Sequence, residues 1–354
     1  MSLFETLKMY CEIPGPGSRE ERVHTRALER WQPHAREAWR SAVGNVFAHI
    51  GGDGPKLLLL GHGDEIGFAL KYIAEDGFLY FTTGQRELRG HPEWRGMYAS
   101  PIGQPALIVG RDVLVEGVFA SLTGHILTPT QRDQHTLGWN DLFVDAFFRS
   151  REEAQDAGVH IGDRIIWNPP TRAFGKFYSG KAMDNRVSLA LLEALLPRLE
   201  PSRLRYDLYI GSSVMEEGGL YGAHSVQSEV ACEYAIAIDT GLSGDAPGVD
   251  PRDVPTRLGG GPTLIHKDLY GYSFRLNNAI RDAATAAGLP LQHTVHGFYG
   301  TDSGALLQKG VAASAIGVPT RYTHSPFETL HADDLEATLE LLLAILYAQP
   351  PAGF

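Results

Sequence analysis

Two adjacent carboxylates, Glu216 and Glu217, end an apolar run that begins at Tyr206. The run predicts a buried strand, and Gly218 and Gly219 predict a turn directly after the acid pair. Because successive strand residues point to opposite faces, the two acids can perform different tasks. One carboxylate can bind a metal ion while the other accepts a proton from a water molecule on that ion. Considered by itself, however, such a pair is also typical of a solvated loop.

Further histidines and acids lie at the ends of predicted strands or in glycine-rich turns: His62 with Asp64, Asp184, Asp239 and His324. Zinc-like ions take imidazole and carboxylate ligands, and a carboxylate can bridge two ions about 3.5–4 Å apart. Each residue alone has an ordinary explanation, such as a helix cap for Asp239 or an exposed ring for His324. Two histidines and three carboxylates together fit two ions with a water molecule between them. The set therefore predicts a dinuclear metal site.

The segments that carry these residues alternate between short apolar runs and amphipathic stretches. Strands are predicted over residues 56–60, 206–214, 233–239, 291–296 and 312–318, and a turn over 300–304. Helices are predicted over 2–12, 19–32, 187–199, 272–287 and 332–347, with Ser2-x-x-Glu5 and Ser18-x-x-Glu21 as capping boxes for the first two. This alternation predicts an α/β fold with a mostly parallel central sheet and helices on both faces. Such sheets bind ligands at the carboxyl ends of their strands.

Residues 68–175 differ in pattern from the rest of the chain. Short alternating segments such as 68–73, 106–109 and 112–115 are separated by glycine and proline, and no long helical period occurs before residue 150. The pattern predicts an inserted β-rich, barrel-like module. We therefore expect residues 1–67 and 176–354 to form a catalytic domain and residues 68–175 to form an inserted domain.

The composition is that of an ordinary globular protein, with 43% hydrophobic and 21% charged residues. A net charge of −11 argues against a nucleic-acid partner, since phosphate binding requires a basic surface. Cys11 and Cys232 are the two cysteines of the chain and provide neither a thiolate cage nor a disulfide framework, which is typical of a reducing compartment. No segment has the length of a membrane span or the pattern of a signal peptide. We expect a cytoplasmic protein without a membrane partner.

Six motifs follow one another in order along almost the whole chain, at residues 61–67 (GHGDEIG), 180–186 (GKAMDNR), 214–219 (VMEEGG), 238–241 (IDTG), 300–304 (GTDSG) and 321–326 (RYTHSP). In order and spacing they resemble the tetrahedral aminopeptidases. That group includes the glutamyl aminopeptidases and proteins once named cellulase M. Six motifs in register are more specific than any single short pattern.

The resemblance implies two divalent metal ions in each subunit, zinc or cobalt, and a role for each ligand. His62 and Asp239 would bind the first ion, and Asp184 would bridge the two ions. Glu217 and His324 would complete the second site. All of these ligand atoms are nitrogen or oxygen, so the site lacks the thiolates that favour softer ions.

The resemblance also implies that Glu216 is the general base and that Asp64 orients His62. It implies a cis peptide bond between Asp184 and Asn185. Near the fifth motif, a group of residues is expected either to line the substrate pocket or to form an ordinary strand-to-helix turn. This group comprises Gly297, Tyr299, Gly300, Thr301 and Asp302.

The predicted function is that of a dinuclear metal-dependent aminopeptidase acting on short peptides with a free N-terminus. A bound metal lowers the pKa of water to about 7 and polarises the scissile carbonyl, while a carboxylate base moves a proton to the leaving amine. The free α-amine of the substrate would be bound either through the ion or through a nearby acid such as Asp302. A deacylase of the same dinuclear type and a non-catalytic binding protein on the same scaffold remain as alternatives.

The resemblance further implies a homo-oligomer, a tetrahedral dodecamer, with the inserted domain serving oligomerisation and substrate access. Large aromatic residues of the insert are candidate anchors for such an interface. They are Trp94, Phe143, Phe147 and Phe148. Burial in the core of the insert itself is the ordinary explanation for each of them.

Overall fold

The computed structural model describes residues 1–84, 100–133, 138–297 and 299–351. Two compact units account for the chain. The first comprises Met1–Glu65, Thr171–Thr323 and Glu328–Phe354, and the second comprises Ile66–Pro170 and His324–Phe327.

The first unit is built on one large sheet, whose strands are numbered here along the whole chain. They are β1 (Glu37–Arg40), β2 (Val46–Gly51), β3 (Lys56–His62), β10 (Arg172–Phe174), β11 (Phe177–Gly180), β12 (Asp207–Ser213), β13 (Tyr234–Leu242), β14 (Thr263–Lys267), β15 (Gln292–Val295), β16 (Ala312–Arg321) and β17 (Glu328–His331). Their order is β1-β2-β12-β3-β13-β16-β17-β11-β10, and β14 pairs with both β16 and β15.

The centre of this sheet is parallel. Strand β3 pairs in parallel with β12 and β13, and β13 pairs in parallel with β16. Antiparallel pairs extend the sheet on both sides, from β12 to β2 and from β16 to β17. The predicted α/β fold with a mostly parallel central sheet is confirmed.

Helices cover both faces of the sheet because its central strands are apolar on both sides. Among the described residues the α-helices are, in chain order, α1 (Leu3–Glu12), α2 (Glu21–Trp31), α3 (Pro129–Arg132), α4 (Arg151–Asp156), α5 (Met183–Leu195), α6 (Ala223–Glu229), α7 (Phe274–Ala286), α8 (Asp302–Gln308) and α9 (Ala332–Tyr347). On β3, Leu57 and Leu59 join a core with side chains of α1, α2, α5, α7 and α9. Leu58 and Leu60 join a second core with side chains of α6 and α8. This division follows from the alternation of side chains along a strand.

The second unit contains a closed antiparallel barrel. Its strands are β4 (Phe68–Ile73), β5 (Leu79–Thr83), β6 (Pro105–Val109), β7 (Leu114–Ser121), β8 (Leu142–Asp145) and β9 (Arg164–Trp167), in the order β4-β5-β8-β7-β6-β9. The ring of Phe68 lies 5.0 Å from that of Phe81 and 5.3 Å from those of Phe119 and Trp167, centroid to centroid. Buried aromatic side chains therefore fill the interior, as expected for a small barrel. The predicted barrel-like module is confirmed.

Helix α2 begins differently from the prediction, and the Ser18-x-x-Glu21 capping box is wrong. The helix starts at Glu21, and Glu20 occupies the N-cap position without a side-chain capping bond. Ser18 has a φ of 69°, in the left-handed region. The carboxylate of Glu20 instead accepts backbone hydrogen bonds from Ser18 at 2.9 Å and from the distant Met215 at 3.0 Å. A long-range contact has therefore replaced the local cap.

Two boundaries near the predicted site also differ. Strand β13 continues to Leu242 because it pairs with β16 along its whole length, so Asp239 lies within the strand and not at its end. The predicted turn over 300–304 is in part a helix, since α8 starts at Asp302 with Thr301 at its N-cap. Within the part of the chain that the structure describes, every helix is too short or too polar to span a bilayer.

Candidate metal centre

Three neighbouring strands bring His62, Asp239 and the acid pair together. In the parallel pairing of β3 with β13, Leu60 lies opposite Ala237, and His62 and Asp239 each follow two residues later. On the other side of β3, Ser213 of β12 lies opposite His62, shortly before the acid pair. The register of the central sheet thus places the first histidine, Asp239 and the two glutamates at one edge.

Two overlapping groups of possible ligands result. His62, Glu216 and Asp239 form one group, and His62, Asp184 and Glu217 form the other, with the ligand atoms of each group within 4.8 Å of one another. The Nε2 atom of His62 lies 3.2 Å from Asp184 Oδ1 and 3.8 Å from both Glu216 Oε2 and Asp239 Oδ1. Four carboxylates around one imidazole match the nitrogen and oxygen donors of zinc-like divalent ions.

The electrostatics of the site show that these carboxylates are crowded. Burial and then the Asp184 carboxylate raise the pKa of Asp239 well above its usual range. Burial also raises the pKa of Glu216, against the opposing effect of His62. Burial lowers the pKa of His62, but the surrounding carboxylates outweigh it and hold that pKa well above its usual range. A divalent cation would relieve this repulsion, because an opposite charge favours the ionised carboxylate.

Asp64 contacts both the first histidine and the acid pair. Its Oδ1 atom accepts a 2.9 Å hydrogen bond from the backbone of Glu216, and its Oδ2 atom accepts one of 3.1 Å from Glu217. Oδ1 also lies 3.4 Å from His62 Nδ1. Asp64 therefore touches His62, as the resemblance implies. In addition it holds the backbone of the two glutamates, a role that the sequence did not indicate.

Asp184 is held by residues from two other segments. Its backbone amide donates to Glu328 Oε2 at 2.9 Å, and its Oδ2 atom accepts from the Thr240 hydroxyl at 3.0 Å. The next side chain, that of Asn185, donates to the carbonyl of Ile238 at 2.8 Å. The cis peptide bond implied between Asp184 and Asn185 is present. Neither Glu328 nor Thr240 was identified from the sequence.

A buried ion-pair cluster lies beside these ligands. Glu65 accepts from the amine of Lys181 at 2.7 Å, and its other oxygen lies 3.4 Å from Arg186. That second oxygen also accepts from the backbone of Gly15 at 3.0 Å. Glu65 directly follows Asp64, and the two cations flank Asp184 in the sequence. The cluster therefore connects the two segments that carry ligands with the loop after α1.

The predicted substrate residues fall into two sets. Asp302 is 2% exposed; its Oδ2 atom accepts from Ser213 at 2.5 Å, and its Oδ1 atom has no hydrogen-bond partner among the described residues. Burial raises the pKa of Asp302 to about 7, with His62 opposing that rise. Thr301 is buried, and its hydroxyl lies 2.8 Å from that of Tyr272.

The other members of the predicted substrate set are more open. Burial raises the pKa of Tyr299, and the carboxylates of Asp239, Asp268 and Asp184 raise it further. The phenol therefore lies in the field of the metal-ligand group. Gly300 is partly buried and Gly297 is exposed. Whether these two glycines line the substrate pocket stays a prediction.

His324 is the predicted ligand that neither ligand group includes. It belongs to the second unit, has a φ of 62°, and is a member of neither ligand group found among the described residues. Its assignment to the second ion stays a prediction.

A sequence model of the M42 glutamyl aminopeptidase family matches residues 44–341 of this chain. The chain belongs to that family. Among curated relatives, the putative aminopeptidase FrvX of Escherichia coli is 31% identical over 97% of this chain and 94% of its own length. The glutamyl aminopeptidase of Lactococcus lactis is 30% identical, with coverage of 98% and 96%. The lysyl aminopeptidase of Pyrococcus furiosus is 28% identical, with coverage of 99% of both chains.

Solved structures of the family share the whole fold. A TET aminopeptidase from Thaumarchaeota archaeon SCGC AB-539-E09 has a TM-score of 0.89 at 29% identity and covers 98% of this chain and 96% of its own. The TET1 peptidase of Pyrococcus horikoshii, described as assembling into a tetrahedron or a large octahedral shell, has a TM-score of 0.86 at 28% identity, covering 98% and 99%. The predicted enzyme class, a hydrolase of the aminopeptidase type, is confirmed. Family membership and the two ligand groups support a divalent metal cofactor.

Proposed function

We propose that this chain is a dinuclear metal-dependent aminopeptidase that releases N-terminal residues from short peptides. The observation that carries the proposal is the pair of overlapping ligand groups that share His62, because one shared cluster with four carboxylates can hold two ions. His62 and Asp239 would hold the first ion and Asp184 would bridge. Glu217 and His324 would complete the second. Zinc and cobalt suit the nitrogen and oxygen donors.

The residues of this chain divide the remaining chemistry among them. When bound, the ions supply the Lewis acidity that polarises the scissile carbonyl and lowers the pKa of water to about 7. Glu216 takes one proton from the attacking water and delivers it to the nitrogen of the leaving peptide as the carbon–nitrogen bond breaks. Asp64 keeps Glu216 in place through the backbone hydrogen bond of 2.9 Å.

Asp302 is the residue that we assign to the free α-amine of the substrate. A carboxylate only accepts hydrogen bonds, and an ammonium group only donates them. The unpartnered, buried Oδ1 atom of Asp302 supports this assignment, because such an atom gains a partner when substrate binds. An N-acylated substrate would leave that atom unpaired, which costs about 1–3 kcal/mol, or tenfold or more in discrimination.

The assignment of activity is tested with a panel of aminoacyl chromogenic amides, assayed with and without a chelator. We expect complete loss of turnover on metal removal and recovery to different degrees with zinc, cobalt or manganese. Full activity in exhaustively metal-free protein would exclude the mechanism. The panel also identifies the preferred N-terminal residue.

A second assay compares a free peptide with its N-acetyl form. We expect the free peptide to be shortened one residue at a time and the acetylated peptide to resist. The Asp302→Asn variant should lose about tenfold in kcat/KM for the free peptide. The exposed Asp112→Asn serves as its control. Faster release of acetate, with the free peptide left intact, would favour the deacylase alternative, and binding without turnover of any substrate would favour a non-catalytic protein.

The proposal includes a homo-oligomer, a tetrahedral dodecamer, in which the inserted barrel serves oligomerisation and substrate access. Its support is the assembly described for the P. horikoshii TET1 peptidase. Of the candidate anchors, Phe147 is 70% exposed, whereas Phe143 packs on Phe78 with ring centroids 5.1 Å apart and Phe148 packs against the barrel core. Trp94 lies outside the described residues. A cytoplasmic location also belongs to the proposal.

A further inference from the structure

Thr240 contacts two of the proposed metal ligands at once. Its hydroxyl donates to Asp184 Oδ2 at 3.0 Å, and its backbone amide donates to Asp239 Oδ1 at 2.7 Å. Thr240 is 6% exposed, and both aspartates are buried as well. The two bonds connect carboxylates that the sequence separates by more than fifty residues. One residue of strand β13 therefore bonds both carboxylates.

The backbone near Asp184 is fixed by other groups. Glu328 accepts from the amide of Asp184 at 2.9 Å, and Asn185 ties the following residue to the carbonyl of Ile238 at 2.8 Å. These bonds set where the main chain passes and do not contact the Asp184 carboxylate. The carboxylate itself is contacted at Oδ1 by His62 Nε2, 3.2 Å away, and at Oδ2 by the hydroxyl of Thr240.

We propose that Thr240 is a positioning residue, whose hydroxyl orients the Asp184 carboxylate relative to Asp239 so that both can bind the same ion. The inference rests on the proposed dinuclear site. Each carboxylate oxygen has two lone pairs, so Asp184 Oδ2 can accept from Thr240 and still bind a cation. Hydrogen-bond partners of this kind hold ligands in a binding orientation, and losing one typically lowers metal affinity about 10–100-fold.

The test replaces the hydroxyl while keeping the shape of the side chain. In Thr240→Val we expect the ion that Asp184 and Asp239 share to bind about 10–100-fold more weakly, as measured by competition with a chelating dye. The visible absorption spectrum of the cobalt-loaded variant should also change, since it reports the ligand geometry. Thr240→Ser restores the hydroxyl and should recover most of the affinity. If Thr240→Val does not fold, Thr240→Ala removes the same hydroxyl.

Thr263 provides a matched control. It is fully buried on strand β14 and lies against Gly241, next to Thr240. Its hydroxyl has no hydrogen-bond partner within the described ranges. Thr263→Val therefore removes a buried threonine hydroxyl close to β13 without removing a hydrogen bond to a metal ligand. The metal affinity of this variant should equal that of the wild type.

Two outcomes would overturn the inference. One is a Thr240→Val protein with wild-type metal affinity and an unchanged cobalt spectrum. The other is a Thr240→Ser protein as weak as Thr240→Val, which would show that the hydroxyl is not the active group. Both are distinguishable from failure of the proposed dinuclear site, because in that case the wild-type protein itself would bind no ion. Failure of the aminopeptidase assignment alone would appear in the peptide assays and not in metal affinity.

Discussion

One carboxylate oxygen of Asp64 accepts a 2.9 Å hydrogen bond from the backbone amide of Glu216, 152 residues further along the chain. The other oxygen holds the next amide, at Glu217. Asp64, just after the end of β3, thereby holds the turn that follows β12, although the two segments belong to different sequence motifs. The orientation of the two acids is set by this contact rather than by the turn alone.

Replacing Glu216 or Glu217 by the neutral glutamine should change different properties of the enzyme, namely its turnover and its metal content. Glu216→Gln is expected to keep its metal content and lose about 10²–10⁴-fold in kcat, because it removes the general base. Glu217→Gln should lose metal instead, since its carboxylate is grouped with His62 and Asp184. Atomic emission for metal content and steady-state kinetics provide the two measurements.

Glu216 is itself grouped with His62 and Asp239, so its carboxylate is also placed to bind an ion. If Glu216→Gln stripped an ion while Glu217→Gln did not, the two roles would have to be exchanged. Loss of both metal and stability in both variants would make the acid pair structural.

Replacing Asp64 tests the contact across the sheet. Asparagine has one acceptor oxygen where the carboxylate accepts two backbone amides, so Asp64→Asn leaves one amide facing a second donor. We expect a loss of about 10–100-fold in metal affinity or kcat/KM. Asp163→Asn is the control, since Asp163 is buried in the other unit and accepts one amide from His160 at 2.7 Å. Equal effects of the two substitutions would contradict the role of Asp64.

The protonation of Glu20 should make the free energy of unfolding of the metal-free protein depend on pH. Burial and the neighbouring Asp64 raise the pKa of Glu20 to about 7 from an ordinary value of 4.5. Between these values the folded protein binds more protons than the unfolded chain, so the free energy of unfolding falls as pH rises from about 4.5 to about 7. Glu20→Gln keeps an oxygen for the amides of Ser18 and Met215 and removes the charge.

The variant should therefore gain stability over the wild type at pH 8, on the order of 1–3 kcal/mol, and lose that advantage at pH 5. Urea unfolding of both metal-free proteins at several pH values measures the difference. A difference that stays constant from pH 5 to pH 8 would show that Glu20 does not titrate in this window.

Self-association is the remaining prediction. Multi-angle light scattering at micromolar concentration should give a mass well above that of one 38.7 kDa chain, with twelve subunits as the proposed value. Phe147→Ser should weaken the assembly if this exposed ring is an anchor, whereas Val249→Ser, a similarly apolar exposed position in the first unit, should not. A monomer in the wild type would contradict the assembly, and equal effects of both substitutions would remove Phe147 from it.

The sequence by itself determined the fold class and the residues that meet in the two ligand groups. Apolar runs and amphipathic periods are local properties, so the central strands and the C-terminal helix were predicted close to their observed bounds. The motifs gave the residue types. The parallel sheet brought His62, Glu216, Glu217 and Asp239 together, and Asp184 joins them from the start of helix α5. The cis peptide followed from the resemblance and is present.

Only the tertiary structure decided which groups hold these ligands. Glu65 with Lys181 and Arg186, Glu20 with Met215, and Thr240 with Asp184 are pairs far apart in sequence, and no local pattern predicts such partners. The same reason explains the errors. Ser18 was predicted to cap helix α2, but Glu20 occupies the N-cap position and its carboxylate binds the distant backbone of Met215. Strand β13 was predicted to end at Asp239, but it continues to Leu242 because it pairs with β16. Hydrogen bonds between remote segments form only when the chain has folded, so their partners are chosen by packing and not by sequence neighbours.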